Sequence, residues 1–277
     1  TANGELSMAY GSFGSTVIIH IVGSVFAILL CLVTGKGLKL RTGAPTWAYL
    51  GGVVGVGTVL CNAFSYSALS VTSMMALALL GEMLTSMAVD VFGLFHMKKR
   101  RIGPDVVISF IFGLIGIYVM MGGLPAGSRW AIALAMCAGL TNVISRTLNA
   151  GLSETAGALK GSLINHLTGL PTAILLLLIF GSGASAYPVF SLSRIWIYCG
   201  GMLGVIFVVL CNVTVPRVNA LSVTVLTFVG KLFVGIFIDL AMGKAADDAS
   251  FLGGVIISTG ILIGIIAEYL IKRRQII

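Results

Sequence analysis

A carboxylate and a primary amine stand at matched places in this sequence, each directly after a glycine in an otherwise apolar stretch: Glu82 in Leu80-Gly81-Glu82 and Lys231 in Val229-Gly230-Lys231. An acid in such surroundings binds a cationic group or a proton. A lysine there meets an anionic group or tunes the hold of the acid on its proton. The same pair would also serve as a buried salt bridge that fixes how two helices dock, and residue type alone leaves both readings open.

Asp90 and Asp239 follow eight residues after Glu82 and Lys231, about two helical turns or roughly 12 Å further along. That spacing places them near the water interface, as gate residues or as solvated helix ends. His20 and His166 are also matched, and they offer a proton relay or ordinary hydrogen-bonded core histidines. Asn3, Asn149, Asn62 and Asn212 complete the candidate substrate-binding or proton-binding set, with interhelical hydrogen bonding or capping as the alternative. Arg146, two residues before the apolar run ends at Leu148, is expected to reach the interface by snorkelling.

Other chemistries find no support. Two histidines without a carboxylate or cysteine at ligand spacing make no metal site. No serine, cysteine or histidine set of hydrolytic type is present, so no catalytic residues and no enzyme are expected. Gly55 to Gly57 has no strand before it and no Lys-Ser or Lys-Thr after it, which excludes a phosphate loop, and no cofactor is expected. Cys31, Cys61, Cys137, Cys199 and Cys211 lie within apolar runs and read as small core residues.

The elements that carry these residues follow from composition. Of the 277 residues 58% are hydrophobic and 9% charged, with a mean hydropathy of +1.08, whereas a soluble domain is about a quarter charged. Apolar runs at 16–34, 46–66, 70–93, 104–122, 129–148, 160–180, 194–213, 219–242 and 251–271 have the roughly 20-residue length of a helix that crosses a bilayer. They lack the alternation of a β-barrel. An all-α, polytopic membrane helix bundle follows. The net charge of +8 sits in the connections between runs, as membrane topology requires, so nucleic acid is not an expected partner.

The chain also repeats itself. Asn3, Leu6, Ser7, Gly11, His20 and Gly23 return 146 positions later as Asn149, Leu152, Ser153, Gly157, His166 and Gly169. Gly51, Gly52 and Gly55 return as Gly200, Gly201 and Gly204, and Ala68-Leu69-Ser70-Val71-Thr72 returns verbatim at Ala220 to Thr224. The run Arg129 to Leu148 has no mate, so the first copy is expected to enter at the tail of its own first helix. Two copies of five helices result, ten in all with the first truncated: residues 1–122 and residues 129–277.

Lys36, Lys39, Arg41, Lys98, Lys99, Arg100, Arg101, Lys160, Arg217, Lys272, Arg273 and Arg274 fall on one side of this layout, 12 against the 3 of Arg129, Arg194 and Lys244. The first side, with the C-terminus, is therefore expected in the cytoplasm of a multi-pass cell-membrane protein. Five helices per copy is an odd number, so the second copy is expected upside down relative to the first, an inverted-topology repeat.

The residues that carry these features also resemble a known family. Asn3-Gly4-x-Leu6-Ser7, Gly11-Ser12-x-x-Ser15, Gly51-Gly52-x-x-Gly55-Val56 and Leu80-Gly81-Glu82-x-x-x-Ser86-x-x-x-Asp90-x-Phe92-Gly93 resemble the YdcZ-like branch of the drug/metabolite transporter superfamily. The resemblance covers both halves and is sharper in the first. It implies an inner-membrane transporter or exporter with ten helices around a central cavity, helices 5 and 10 at the periphery. Where Gln is common in that family, this chain has Glu82 and, in the second copy, Lys231. The expected function is secondary active transport of a small polar or amphipathic metabolite or drug by alternating access, with or without proton coupling. A lipid flippase and an ion channel are the alternatives. The expected partners are that small molecule, a proton and the lipid bilayer, the protein acting as a monomer or homodimer.

Overall fold

The computed structural model describes residues 2–38, 40, 43–66, 68–99, 102–122, 129–181, 192–241 and 248–274. Among the described residues every regular element is helical. The α-helices are α1 (Ala2–Val33), α2 (Gly51–Tyr66), α3 (Val71–Phe92), α4 (Pro104–Met121), α5 (Arg129–Ala156), α6 (Ala158–Phe180), α7 (Cys199–Thr214), α8 (Ala220–Ala241) and α9 (Asp248–Arg274). Short 3₁₀ helices at Thr46–Leu50 and Leu192–Tyr198 lead into α2 and α7. Each apolar run of the sequence thus becomes one helix. Seven described segments are long and apolar enough to cross a membrane, and Val106–Met121 and Ala220–Val234 are shorter apolar helices.

Local chemistry explains where the helices stop and start. Gly93 closes α3 in the left-handed conformation, its N–H returning to the Val89 carbonyl, a conformation that costs glycine least. Pro104 opens α4 at a position where a missing N–H is harmless. The most informative boundary lies inside α1. Gly11 (φ 72°, ψ 166°) breaks the helix into two pieces, and its mate Gly157 (φ 81°, ψ 153°) separates α5 from α6 with nearly the same torsions. Ala2 to Tyr10 therefore stands to the rest of α1 as the end of α5 stands to α6.

The chain divides into two compact units. Unit 1 comprises Thr1–Ser67 and Ile144–Arg217, and unit 2 comprises Ala68–Val143 and Val218–Ile277. Each draws on both halves of the sequence, and α5 contributes its first part to unit 2 and its second part to unit 1. In unit 1, α6 packs on α1, α2 and α7, around a core that includes Ala27, Cys31, Leu163 and Val205. In unit 2, α4 lies along α9, and Gly116 and Gly253 each face the other's carbonyl so closely that a Cβ at either would strike backbone. Leu79, Met83, Leu221 and Ile257 fill the centre of that unit.

Outward faces carry large apolar side chains, among them Trp130, Leu178, Ile179 and Phe180. A water-soluble monomer rarely exposes so much apolar surface, and lipid is the solvent that suits it. Cys137 belongs to this outer surface and Cys31 and Cys211 to the interior, so the expectation that all five cysteines are core residues holds only in part.

Candidate functional site

In unit 2 the close approach of α3 and α5 sets the position of Glu82. A Cβ on Gly81 would strike the Met136 carbonyl, and one on Gly139 would strike the Ala78 carbonyl and the Glu82 backbone nitrogen. Two bare backbones therefore touch, right beside the acid. Asn142, three residues beyond Gly139, donates its Nδ2–H to Glu82 Oε1 at 2.7 Å. Glu82 is 8% exposed. A buried carboxylate in an apolar helix is costly unless it is hydrogen-bonded or paired, and the amide supplies such a bond.

The same face of α3 continues at one-turn intervals. Ser86 shares a 2.7 Å hydrogen bond with Thr224 of α8. Asp90 accepts from the backbone N–H groups of Ala220 at 2.9 Å and Leu221 at 3.0 Å. The expectation of Asp90 as a solvated helix end is corrected here. Its half-buried carboxylate caps the first turn of α8, where orphan N–H groups and the positive end of the helix dipole favour an acid. Lys231 lies on α8 with its side chain exposed, beside Gly230, which has open space where a Cβ would stand. Asp239 is on α8 too, and its side chain lies outside the described residues.

Along α5 the polar residues Asn142, Ser145, Arg146, Asn149 and Ser153 recur at helical spacing, making one polar face on an apolar helix. Arg146 is 4% exposed, and α5 runs on past it to Ala156. It is a buried mid-helix residue, so the expectation that it snorkels from a helix end is overturned. The rest of this face is used inside unit 1. Ser145 donates to the Gly51 carbonyl at 2.8 Å, and Asn149 donates to Asn165 Oδ1 at 2.8 Å. Ser153 donates to the Asn212 carbonyl at 3.1 Å, and Asn212 Nδ2 donates to the Ala158 carbonyl at 3.0 Å. The buried Oδ1 atoms of Asn149 and Asn212 have no donor among the described residues.

Matched residues of the two copies meet reciprocally in unit 1. Asn149 Oδ1 lies against Gly51 and Asn3 Oδ1 against Gly200. The His166 ring lies against Gly23 and the His20 ring against Gly169, which brings the two imidazoles to a centroid separation of 5.7 Å. Asn3 is exposed at its end of α1, and Asn62 is half-buried on α2. No group of three metal-ligating side chains occurs among the described residues.

Sequence reasoning missed Asn142, Ser145 and Asn165, and the signal for the first two was the helical spacing of polar residues along α5. It selected Glu82 and the histidines because each interrupts an apolar run. The structure brings Glu82 to Asn142, Asp90 to the start of α8, and His20 to His166.

Comparison with known proteins adds an independent line. One family model, described as "Putative inner membrane exporter, YdcZ", matches residues 1–119 and again residues 130–264. No curated protein shows detectable similarity. A solved crystal structure of another protein superposes with a TM-score of 0.68 at 17% identity, over 99% of this chain and 94% of that one. At that identity the likeness concerns the fold alone. Matched twice by a single model over most of its length, and built of apolar helices able to cross a bilayer, the chain belongs to the YdcZ family of the drug/metabolite transporter superfamily, a family described as inner membrane exporters.

Proposed function

We propose that this protein is a secondary active exporter of a small polar or amphipathic molecule, and that Glu82 binds the cationic group or the proton of the transported species. One observation carries the reading: a carboxylate buried in a membrane helix and oriented by the amide of Asn142. Ionisable groups at such depth mark substrate or ion pathways in transporters. Lys231, the mate of Glu82, supplies the opposite charge to an anionic group or tunes the acid. Alternating access follows from two inverted five-helix copies, residues 1–122 and 129–277, rocking about the site. No bond is made or broken, so the protein is not an enzyme.

Purified protein in liposomes is expected to exchange a preloaded amine, amino acid or nucleoside in a saturable manner. Conductance that rises linearly with salt would assign it to the channels. Scrambling of a fluorescent lipid without solute exchange would assign it to the flippases.

The orientation proposed is that of the basic loops, with Lys98 and the C-terminus in the cytoplasm. In a variant lacking native cysteines, a cysteine at Lys98 is expected to react with an impermeant maleimide only after the cells are opened. Labelling from outside intact cells would reverse the topology. The matched loop on the other side, around Ala246, lies outside the described residues.

A further inference from the structure

We propose that His20 and His166 form one proton-binding site, in which a single proton is shared between the two ε nitrogens. His20 Nδ1 lies 3.2 Å from the Thr16 carbonyl oxygen, and His166 Nδ1 lies 2.9 Å from that of Ser162. Each partner is four residues back on the same helix. A carbonyl only accepts, so each Nδ1 carries the hydrogen. In a neutral imidazole that leaves Nε2 as a bare acceptor.

Reciprocal glycines seat the two rings beside each other. His166 occupies the space a Cβ on Gly23 would take, three residues after His20 on α1, and His20 does the same to Gly169, three residues after His166 on α6. The rings are 5% and 4% exposed and tilted by 50°. Ser24, one turn beyond His20 on α1, is buried as well, and its Oγ has no hydrogen-bond partner among the described residues. Two neutral imidazoles, each with an Nε2 lone pair that takes no hydrogen, thus stand side by side.

A proton arriving from water forms one N–H bond at an ε nitrogen, the other ring accepts from it, and release to water restores both neutral rings. Neither Nδ1–H is lost, so the pair changes by one charge. A second proton would set two imidazolium ions side by side with little solvent. Neighbouring charges give it no help. Of the helices packed in this unit, α2 and α7 carry no charged residue, and α6 carries only Lys160, a cation. Glu5 lies at the far end of α1, and α5 brings Arg146 and Glu154. The 3₁₀ helix Leu192–Tyr198, packed on α1, adds Arg194, another cation, and the other titratable groups on these elements are Tyr10, Tyr49, Tyr66, Tyr198 and the cysteines, which are uncharged when protonated.

The binding claim is independent of the substrate reading; only its use as the coupling step rests on export. The test is nitrogen-detected NMR of the full chain, labelled at histidine and held in nanodiscs, titrated from about pH 8 to about pH 5 without substrate. The chain has three histidines, and free imidazole in the same buffer supplies the scale. At neutral pH His20 and His166 are expected to carry hydrogen on Nδ1 alone. On acidification their ε nitrogens should move together, each through about half the change that free imidazole shows, because one proton is divided between two sites. In His20→Gln, the His166 signal should complete the full change alone.

Full, independent titration of both rings in the wild type would overturn the proposal, as would hydrogen on Nε2 at neutral pH. Both tests need no variant to fold. If the titration succeeds while solute exchange in liposomes fails, the proton site stands and the exporter reading falls.

Discussion

Glu82→Gln is expected to lower solute exchange about 10-fold to 100-fold while the protein still folds and inserts. The substitution keeps the shape of the side chain. The new amide oxygen can still accept from Asn142, which now donates at 2.7 Å to the carboxylate, so the crossing of α3 and α5 is left intact. What disappears is the charge. A hydrogen bond to a charged group contributes about 1.5 to 3 kcal/mol, which converts to roughly one to two decades in affinity. If Lys231 acts in the same site, the loss shrinks when Glu82→Gln is placed in a Lys231→Met background, because coupled residues are not additive. Full exchange activity in Glu82→Gln would remove the acid from the mechanism, and additivity with Lys231→Met would separate the two residues.

The largest effect on stability is expected at the glycines beneath that acid. Gly81→Ala and Gly139→Ala each set a methyl group into backbone of the facing helix, at the Met136 carbonyl in one case and at the Ala78 carbonyl in the other. Backbone cannot rotate away as a side chain can, so α3 and α5 must separate, at a cost of about 1 to 3 kcal/mol for such overpacking. Gly204→Ala is the control. A Cβ there stands 3.6 Å from the nearest atom, an ordinary contact with His166. Alanine also favours a helix over glycine by about 0.8 to 1 kcal/mol, so the control is expected to be neutral or stabilising. Thermal unfolding of the three purified variants in detergent measures the difference. Equal stability of all three would mean that the helices are not in backbone contact at Gly81 and Gly139.

Much of this fold was legible because a bilayer imposes length and polarity on each spanning segment. Every apolar run became a helix, and Glu82 stood out as an acid within one. Asn142 was less visible. Its importance comes from a helix crossing set by Gly81 and Gly139, which adjacency in sequence does not report. Arg146 was misplaced for a related reason. The apolar run ends at Leu148, but α5 continues to Ala156 because its polar face, through Asn149 and Ser153, is hydrogen-bonded inside unit 1. Polarity there marks packing between helices and not the end of one. The capping role of Asp90 depends on α3 lying beside the start of α8, and no local pattern near Asp90 announces it.

The reciprocal seating of His20 on Gly169 and His166 on Gly23, with Asn149 on Gly51 and Asn3 on Gly200, bears on how a duplicated gene ages. Where each copy packs against itself, mutations accumulate separately and the two halves drift apart. At these eight positions a side chain from one half fills a gap in the backbone of the other, so a new methyl group on any of the four glycines is opposed by a ring or an amide encoded 98 to 197 codons away. Tolerated changes there must come in pairs, and pairs are slow to arise. The matches between the halves at these positions therefore record how each is moulded to the other as well as their common ancestry.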